Sequence, residues 1–170
     1  DGNTLYFTSD RPGGKGKADI YKVSISKDGS FGNPENLGSN INTEGKEGFP
    51  FVDSNGTLYF SSDAHLGMGG LDVFAAELNG NNFGETKNLG LGVNSSEDDF
   101  AYSYDPATME GYVSSNRKGG KGSDDIYKIK KLNICDVIIN VIVVDASNDE
   151  PIAGARLDLF DNLENKLQSQ

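Results

Sequence analysis

The sequence lacks most of the residues that carry metal or acid–base chemistry. Cys135 is the only cysteine of the 170 residues, His65 is the only histidine, and tryptophan is absent. One cysteine excludes an internal disulfide and any metal site built from several cysteines. One histidine removes most general-base and zinc schemes. We therefore expect Cys135 to be a packed thiol, His65 to be an ordinary loop residue, and no cofactor to be bound.

Long apolar runs and a basic charge balance are missing as well. The most apolar stretch, Val137–Val144, is interrupted by Asn140 and is far shorter than the ~20 residues of a membrane helix. With 15 basic and 26 acidic residues the formal charge is −11, which disfavours nucleic acid as a partner. The sequence starts at Asp1 without a signal-like segment, so we expect targeting information, if any, to lie outside it.

What the sequence has is glycine and repetition. There are 22 glycines against 5 prolines, which favours short elements joined by tight turns. Two patterns recur at intervals of 53 residues: LYFTSD (Leu5–Asp10), LYFSSD (Leu58–Asp63) and GYVSSN (Gly111–Asn116), then DIYKVSI (Asp19–Ile25), DVFAAEL (Asp72–Leu78) and DIYKIKK (Asp125–Lys131). The second pattern alternates apolar and polar residues, as a half-buried strand does. We predict an all-β protein with four short strands in each repeat, which is typical of a propeller blade.

The repeat resembles the TolB-type, WD-like propeller family. The resemblance rests on Pro50, Asp53 and Gly56, then LYFSSD, a glycine-rich turn and Asp-Ile-Tyr, and it covers Asp1–Lys131. In the third copy Gly111, Asn116 and Ala101 are interpreted as replacements of the leucine, the aspartate and the proline. Because three blades do not close a ring, the resemblance implies the C-terminal blades of a larger propeller over residues 1–131.

Residues 132–170 have a different character. A near-continuous apolar strand from Cys135 is followed by a polar turn and by alternation of apolar and polar residues. Asp145, Glu150-Pro151-Ile152 and Gly154-Ala155 resemble the start of a carboxypeptidase-regulatory-like domain. That resemblance implies the first strands of a transthyretin-like β-sandwich, of which only part is present.

The stretch RPGGKGKADIY, Arg11–Tyr21, has the glycines and lysines of a phosphate-binding loop. A phosphate loop needs its lysine and a following helix, whereas Lys15 and Lys121 become Met68 in the middle copy and a strand follows. We therefore interpret it as a turn whose glycines (Gly14, Gly67, Gly120) supply positive φ. If the loop binds a partner, the predicted interaction residues are Arg11, Lys15, Arg117 and Lys121.

Acidic residues recur at both ends of this turn (Asp10, Asp63, Asp19, Asp72 and Asp125). They could bind calcium, but they do not have an EF-hand spacing, and we favour caps on backbone N–H groups. The run Glu97–Asp99 is expected to be a solvated face. The pair Glu44 and Glu47 is too generic for a glycosidase assignment, and we predict no catalytic, cofactor-binding or metal-binding residue.

A propeller followed by a carboxypeptidase-regulatory-like domain resembles the middle of Bacteroidetes OmpA-family envelope proteins. The resemblance implies a non-enzymatic scaffold in the periplasm, associated with the outer membrane, whose propeller binds envelope proteins. It also implies attachment to peptidoglycan through a domain outside these residues, in some relatives within the type nine secretion or gliding machinery. The alternative is a propeller that gates the substrate of a peptidase or another hydrolase.

Overall fold

The computed structural model describes residues 2–132, 142–155, 158–160 and 166–169. The chain divides into two compact units, Asp1–Leu132 and Asn133–Gln170. All regular elements of the described residues are strands, so the all-β prediction is confirmed. None of these residues forms a helix long and apolar enough to cross a bilayer. The strands are β1 (Thr4–Ser9), β2 (Asp19–Ser24), β3 (Glu35–Asn36), β4 (Glu47–Val52), β5 (Thr57–Ser62), β6 (Asp72–Asn79), β7 (Asn82–Phe83), β8 (Lys87–Asn88), β9 (Asp99–Asp105), β10 (Glu110–Ser115), β11 (Asp125–Lys130), β12 (Asp158–Phe160) and β13 (Lys166–Ser169).

The first unit contains three antiparallel sheets, one for each copy of the repeat. The first sheet has the order β1-β2-β3, the second β4-β5-β6-β7 with β8 also on β6, and the third β9-β10-β11. The central hairpin has the same register in each sheet, with residue pairs Thr8↔Ile20, Ser61↔Val73 and Ser114↔Ile126. Each copy of the repeat therefore folds around the same central hairpin.

The strands β4 and β9 each contain a bulge, and the bulge corrects the alignment of the repeats. Phe49 and Ala101 have φ values of 54° and 52° at equivalent points of the irregular pairing. Ala101 thus corresponds to Phe49, and the residue that corresponds to Pro50 is Tyr102, so the interpretation of Ala101 as a replaced proline was wrong. The turn after β9 is one residue longer than the turn after β4, and the connection from Val73 to Asn94 is one residue shorter than that from Ile20 to Asn42. Residues between these two points therefore recur one position earlier than the interval of the hairpins.

Apolar side chains of successive sheets make two clusters. One cluster includes Ile20 of the first sheet with Leu58, Phe60 and Phe74 of the second. The other combines Tyr59 and Val73 of the second sheet with Tyr102 and Val113 of the third. Burying a side chain such as Leu or Phe contributes about 1.5–3 kcal/mol, so contact between sheets is a main source of stability.

The second unit contains a turn and a short hairpin among its described residues. Val144 bridges to Pro151, and the amide of Asp145 donates to the carbonyl of Glu150 at 2.8 Å. Ser147 donates to the Asp145 carboxylate from its hydroxyl and its amide, which holds the pKa of that carboxyl below its usual range. Strands β12 and β13 pair antiparallel. Cys135 and most of the predicted apolar strand lie outside the described residues.

Candidate functional site: the glycine-rich loops

Each glycine-rich loop folds over the aspartate that begins the next strand. In the first copy the amides of Lys15 and Gly16 donate to the carboxylate of Asp19 at 2.5 and 2.9 Å. The same two bonds are made by Met68 and Gly69 to Asp72, and by Lys121 and Gly122 to Asp125. The capping prediction is confirmed for these three aspartates. Their carboxylates occupy the N–H groups that a phosphate would need, so the turn interpretation holds.

The glycines of these loops are required by close approach rather than by positive φ. The predicted positions Gly14, Gly67 and Gly120 do not have positive φ, which in the loops occurs at Gly13 (88°) and Gly119 (97°). A Cβ at Gly67 or Gly120 would collide with the capping carboxylate, because the loop lies directly on that group. The expected dihedral reason was therefore wrong, although the need for glycine is real.

The two arginines of the predicted site hold the loops in place. Arg11 lies over the rings of Phe7 and Tyr21, with its guanidinium carbon 5.0 and 4.8 Å from their centroids. Its Nε donates to the hydroxyl of Ser9 at 3.1 Å. Arg117 repeats this arrangement, over the ring of Tyr127 at 4.9 Å and with Nε donating to Ser115 at 2.9 Å.

Arg117 also joins its loop to two neighbouring segments. Its terminal nitrogen donates to the buried carboxylate of Asp99 and to the carbonyl of Val93, both at 2.5 Å. In the middle copy His65 makes the contact equivalent to that of Arg117 with Val93, because its Nε2 lies 2.8 Å from the carbonyl of Ile41. The imidazole also packs edge-on against Phe60. The lone histidine thus has a structural contact equivalent to that of an arginine.

The two lysines of the predicted site are different from the arginines. Lys15 and Lys121 are exposed, and among the described residues no side chain pairs with their ammonium groups. Their backbone amides make the capping bond that Met68 also makes, so the loop does not depend on the lysine side chain. The structure therefore places Lys15 at the end of the first sheet and Lys121 at the equivalent end of the third.

Carboxylates of the repeat are used inside the structure. Glu47 and Asp99 occupy equivalent buried positions at the start of β4 and β9. Glu47 accepts bonds from the hydroxyls of Thr43 and Ser62 at 2.5 and 2.8 Å. Asp99 accepts from Ser95 and Arg117, so the expectation of a solvated face for it was wrong. No group of three or more carboxylate, histidine or cysteine side chains converges as a metal site within the described ranges.

Sequence reasoning missed two asparagines that bond the segment after the outer strand to the first two sheets. Asn42 accepts the amide of Ile20 at 2.8 Å and donates to the carbonyl of the same residue at 2.9 Å. Asn94 makes the same pair of bonds to Val73, at 2.8 and 2.9 Å. We call this contact the asparagine clamp. Its signal in the sequence is the pattern Asn-Leu-Gly-x-x-Ile/Val-Asn, which occurs at 36–42 and 88–94.

Comparison with known proteins adds no relative. No protein-family model, curated protein or solved structure matches the chain. The function is therefore argued from the repeat and its loops.

Proposed function

We propose that residues 1–131 are blades of a β-propeller that serves as a protein-interaction module of a non-enzymatic envelope scaffold. The observation that supports it best is the structural repeat itself. Three antiparallel sheets with the same central hairpin carry the same capped loop, and the first two also share the asparagine clamp, so the frame presents equivalent loops. Such repetition suits a binding surface, since binding residues commonly lie on loops positioned by a rigid scaffold.

The predicted interaction residues divide into two roles under this proposal. Arg11 and Arg117 hold the loops, while Lys15 and Lys121 offer charge to a partner. Three of the 15 basic residues lie in each of these two loops, although the chain as a whole carries −11. A local excess of lysine and arginine on an acidic protein favours a partner with an acidic patch.

The wider context comes from the family resemblance and is part of the proposal. The module would act in the periplasm at the outer membrane, within an assembly attached to peptidoglycan through a domain outside these residues. A type nine secretion or gliding assembly is one such setting. The carboxypeptidase-regulatory-like start in residues 132–170 would connect the module to that peptidoglycan-binding domain.

The test is affinity capture from solubilised outer-membrane fractions with the chain as bait. A double variant, Lys15→Glu with Lys121→Glu, should lose the envelope proteins that the parent chain retains. The matched control is Lys27→Glu with Lys87→Glu, which makes the same charge change at exposed lysines outside the loops. Localisation of the native protein to the cytosol alone, or equal capture by all three baits, would contradict the proposal.

A further inference from the structure

We propose that the outer edge of β11 is a docking edge for a polypeptide segment from outside residues 1–170. The segment has the form Phe-Gly-x-x-x-Asn-Leu-Gly-x-x-Ile/Val-Asn, which is the pattern that covers the corresponding edges of β2 and β6. The inference rests on the proposed role as an interaction module and names the chemistry of one partner segment.

The first and second sheets show how such a segment docks. On β2 the amide of Leu37 donates to the carbonyl of Ile20 at 3.1 Å, and Asn42 then clamps the backbone of the same residue. On β6 the amide of Leu89 donates to Val73 at 3.1 Å, followed by the Asn94 clamp. In both sheets the residue under the clamp is 0% exposed. The segment therefore completes the hydrogen bonds of the strand and covers its first apolar residue.

The third sheet has the same strand with its edge uncovered. Ile126 corresponds to Ile20 and Val73, yet it is 75% exposed. Because its register to β10 matches that of the other two, its amide and carbonyl point away from β10. No residue in the described part of the chain bonds to them. A strand edge with unpaired backbone groups beside an exposed isoleucine is suited to strand addition.

Gly122 gives a second and independent indication. A Cβ at the equivalent Gly16 or Gly69 would strike backbone carbonyls of the following segment, at Gly45 and Glu97 respectively. At Gly122 the only heavy atoms nearby are backbone atoms of Asp124, the closest at 3.3 Å, and φ is not positive. This contact is tight but needs a shift of only a few tenths of an ångström, whereas the Cβ at Gly16 or Gly69 would lie well inside the contact distance of a backbone oxygen. A docked segment that follows the path of residues 43–45 would require glycine at this position.

An open cleft beside β11 accounts for the phenylalanine of the pattern. The cleft has a volume of about 530 Å³ and is lined by Tyr59, Leu89, Val93 and Tyr104 among others. The corresponding residues between the first and second sheets are Tyr6, Leu37, Ile41 and Val52, which belong to the cluster that contains Phe83. Phe83 is 5% exposed, with its ring 5.9 Å from that of Tyr6. A phenylalanine five residues before the first asparagine of the segment would fill the cleft.

The chain itself has no third copy of the segment to offer. The pattern occurs twice in the sequence, and the clamp residues Asn42 and Asn94 are both buried on their own sheets. The occupant must therefore be supplied from outside.

Charge favours a peptide with the sequence of the first copy as the probe. Lys22 pairs with Glu35 across β2 and β3 at 3.6 Å, and Lys128 of β11, which also pairs with Glu110 at 2.7 Å, has the same place as Lys22. An acidic residue before the first asparagine of the docked segment would therefore lie near Lys128.

The experiment titrates the 170-residue chain into a labelled synthetic peptide with the sequence of residues 30–46 and follows fluorescence anisotropy. Saturable binding is expected, with slower hydrogen exchange at the Ile126 amide. A peptide with Asn42→Leu should bind at least about tenfold more weakly, since two hydrogen bonds of roughly 1 kcal/mol each are lost. A peptide with Phe31→Ala should also bind more weakly, because it leaves the cleft empty.

The protein variants separate docking from folding. Gly122→Ala should weaken peptide binding at least about tenfold by the collision seen at its counterparts, with an unchanged unfolding midpoint. Ser123→Ala, an exposed neighbour, should bind as the parent does. Absence of saturable binding, affinity indifferent to both Asn42→Leu and Gly122→Ala, or an Ile126 amide already protected without peptide would each overturn the inference. The capture of envelope proteins depends on Lys15 and Lys121 and not on peptide binding at β11. A failure of the docking proposal can therefore be distinguished from a failure of the proposed function.

Discussion

Replacing Asn94 by alanine should strongly destabilise the first unit. The side chain makes three bonds, to the amide and carbonyl of Val73 and to the side chain of Asn88, at 2.8, 2.9 and 2.9 Å. It is buried, so water does not replace these bonds. The carbonyl of Val73 keeps a bond from Leu89, but its amide loses its only partner. An unsatisfied buried group costs about 1–3 kcal/mol, and with the other lost bonds we expect about 2–4 kcal/mol.

The assay is urea unfolding followed by circular dichroism, with the free energy of unfolding taken from linear extrapolation. The matched control is Asn33→Ala, because Asn33 is exposed and bonds to no described residue through its side chain. We expect that control to change stability by less than about 0.5 kcal/mol. Equal effects of the two substitutions would refute the reasoning that the clamp stabilises the first unit.

The same contacts support three further predictions. Gly69→Ala should destabilise the chain by about 1–3 kcal/mol through its collision with Glu97, whereas Gly122→Ala should not, and equal unfolding midpoints for the two would contradict this. Arg117→Gln should cost about 3 kcal/mol because it removes the cation beside the buried Asp99, against about 1 kcal/mol for the stacked Arg11→Gln; thermal unfolding of both variants checks the order. Burial, aided by Tyr104 and Asp53, raises the pKa of Tyr102 to about 12. The contribution of the buried, neutral Tyr102 to stability is therefore fully present below pH ~10 and is lost as pH rises toward 12. Across that range the free energy of unfolding should fall more steeply with pH for the parent than for Tyr102→Phe, by about 1 kcal/mol per pH unit.

The strands could be predicted because their signal is local. Alternation in Tyr21–Ile25 identifies the strand and its buried residues Tyr21 and Val23, but not that Ile20 on the opposite face is buried as well. The aspartate caps were equally accessible, since each carboxylate lies three or four residues from the amides that it accepts. These features could be predicted because their contacts are short in sequence and recur in each copy of the repeat.

The features that sequence reasoning missed depend on distant contacts. The asparagine clamp joins residues 22 positions apart in the first copy and 21 in the second, and only the fold shows which backbone the amide reaches. The burial of Asp99 depends on Arg117, which lies 18 positions away. The turn after β9 shifts the interval between repeats by one residue, so counting alone misaligned Ala101.

The most direct test of the account is residue-resolved hydrogen exchange on the chain alone. The central claim is that the same hairpin occurs three times and that, within the described part of the chain, only the third sheet has an uncovered outer edge. The amides of Ile20 and Val73 should exchange slowly under their clamps, while that of Ile126 should exchange nearly as fast as an unprotected amide. Equal protection at all three residues, or rapid exchange at all three, would contradict it.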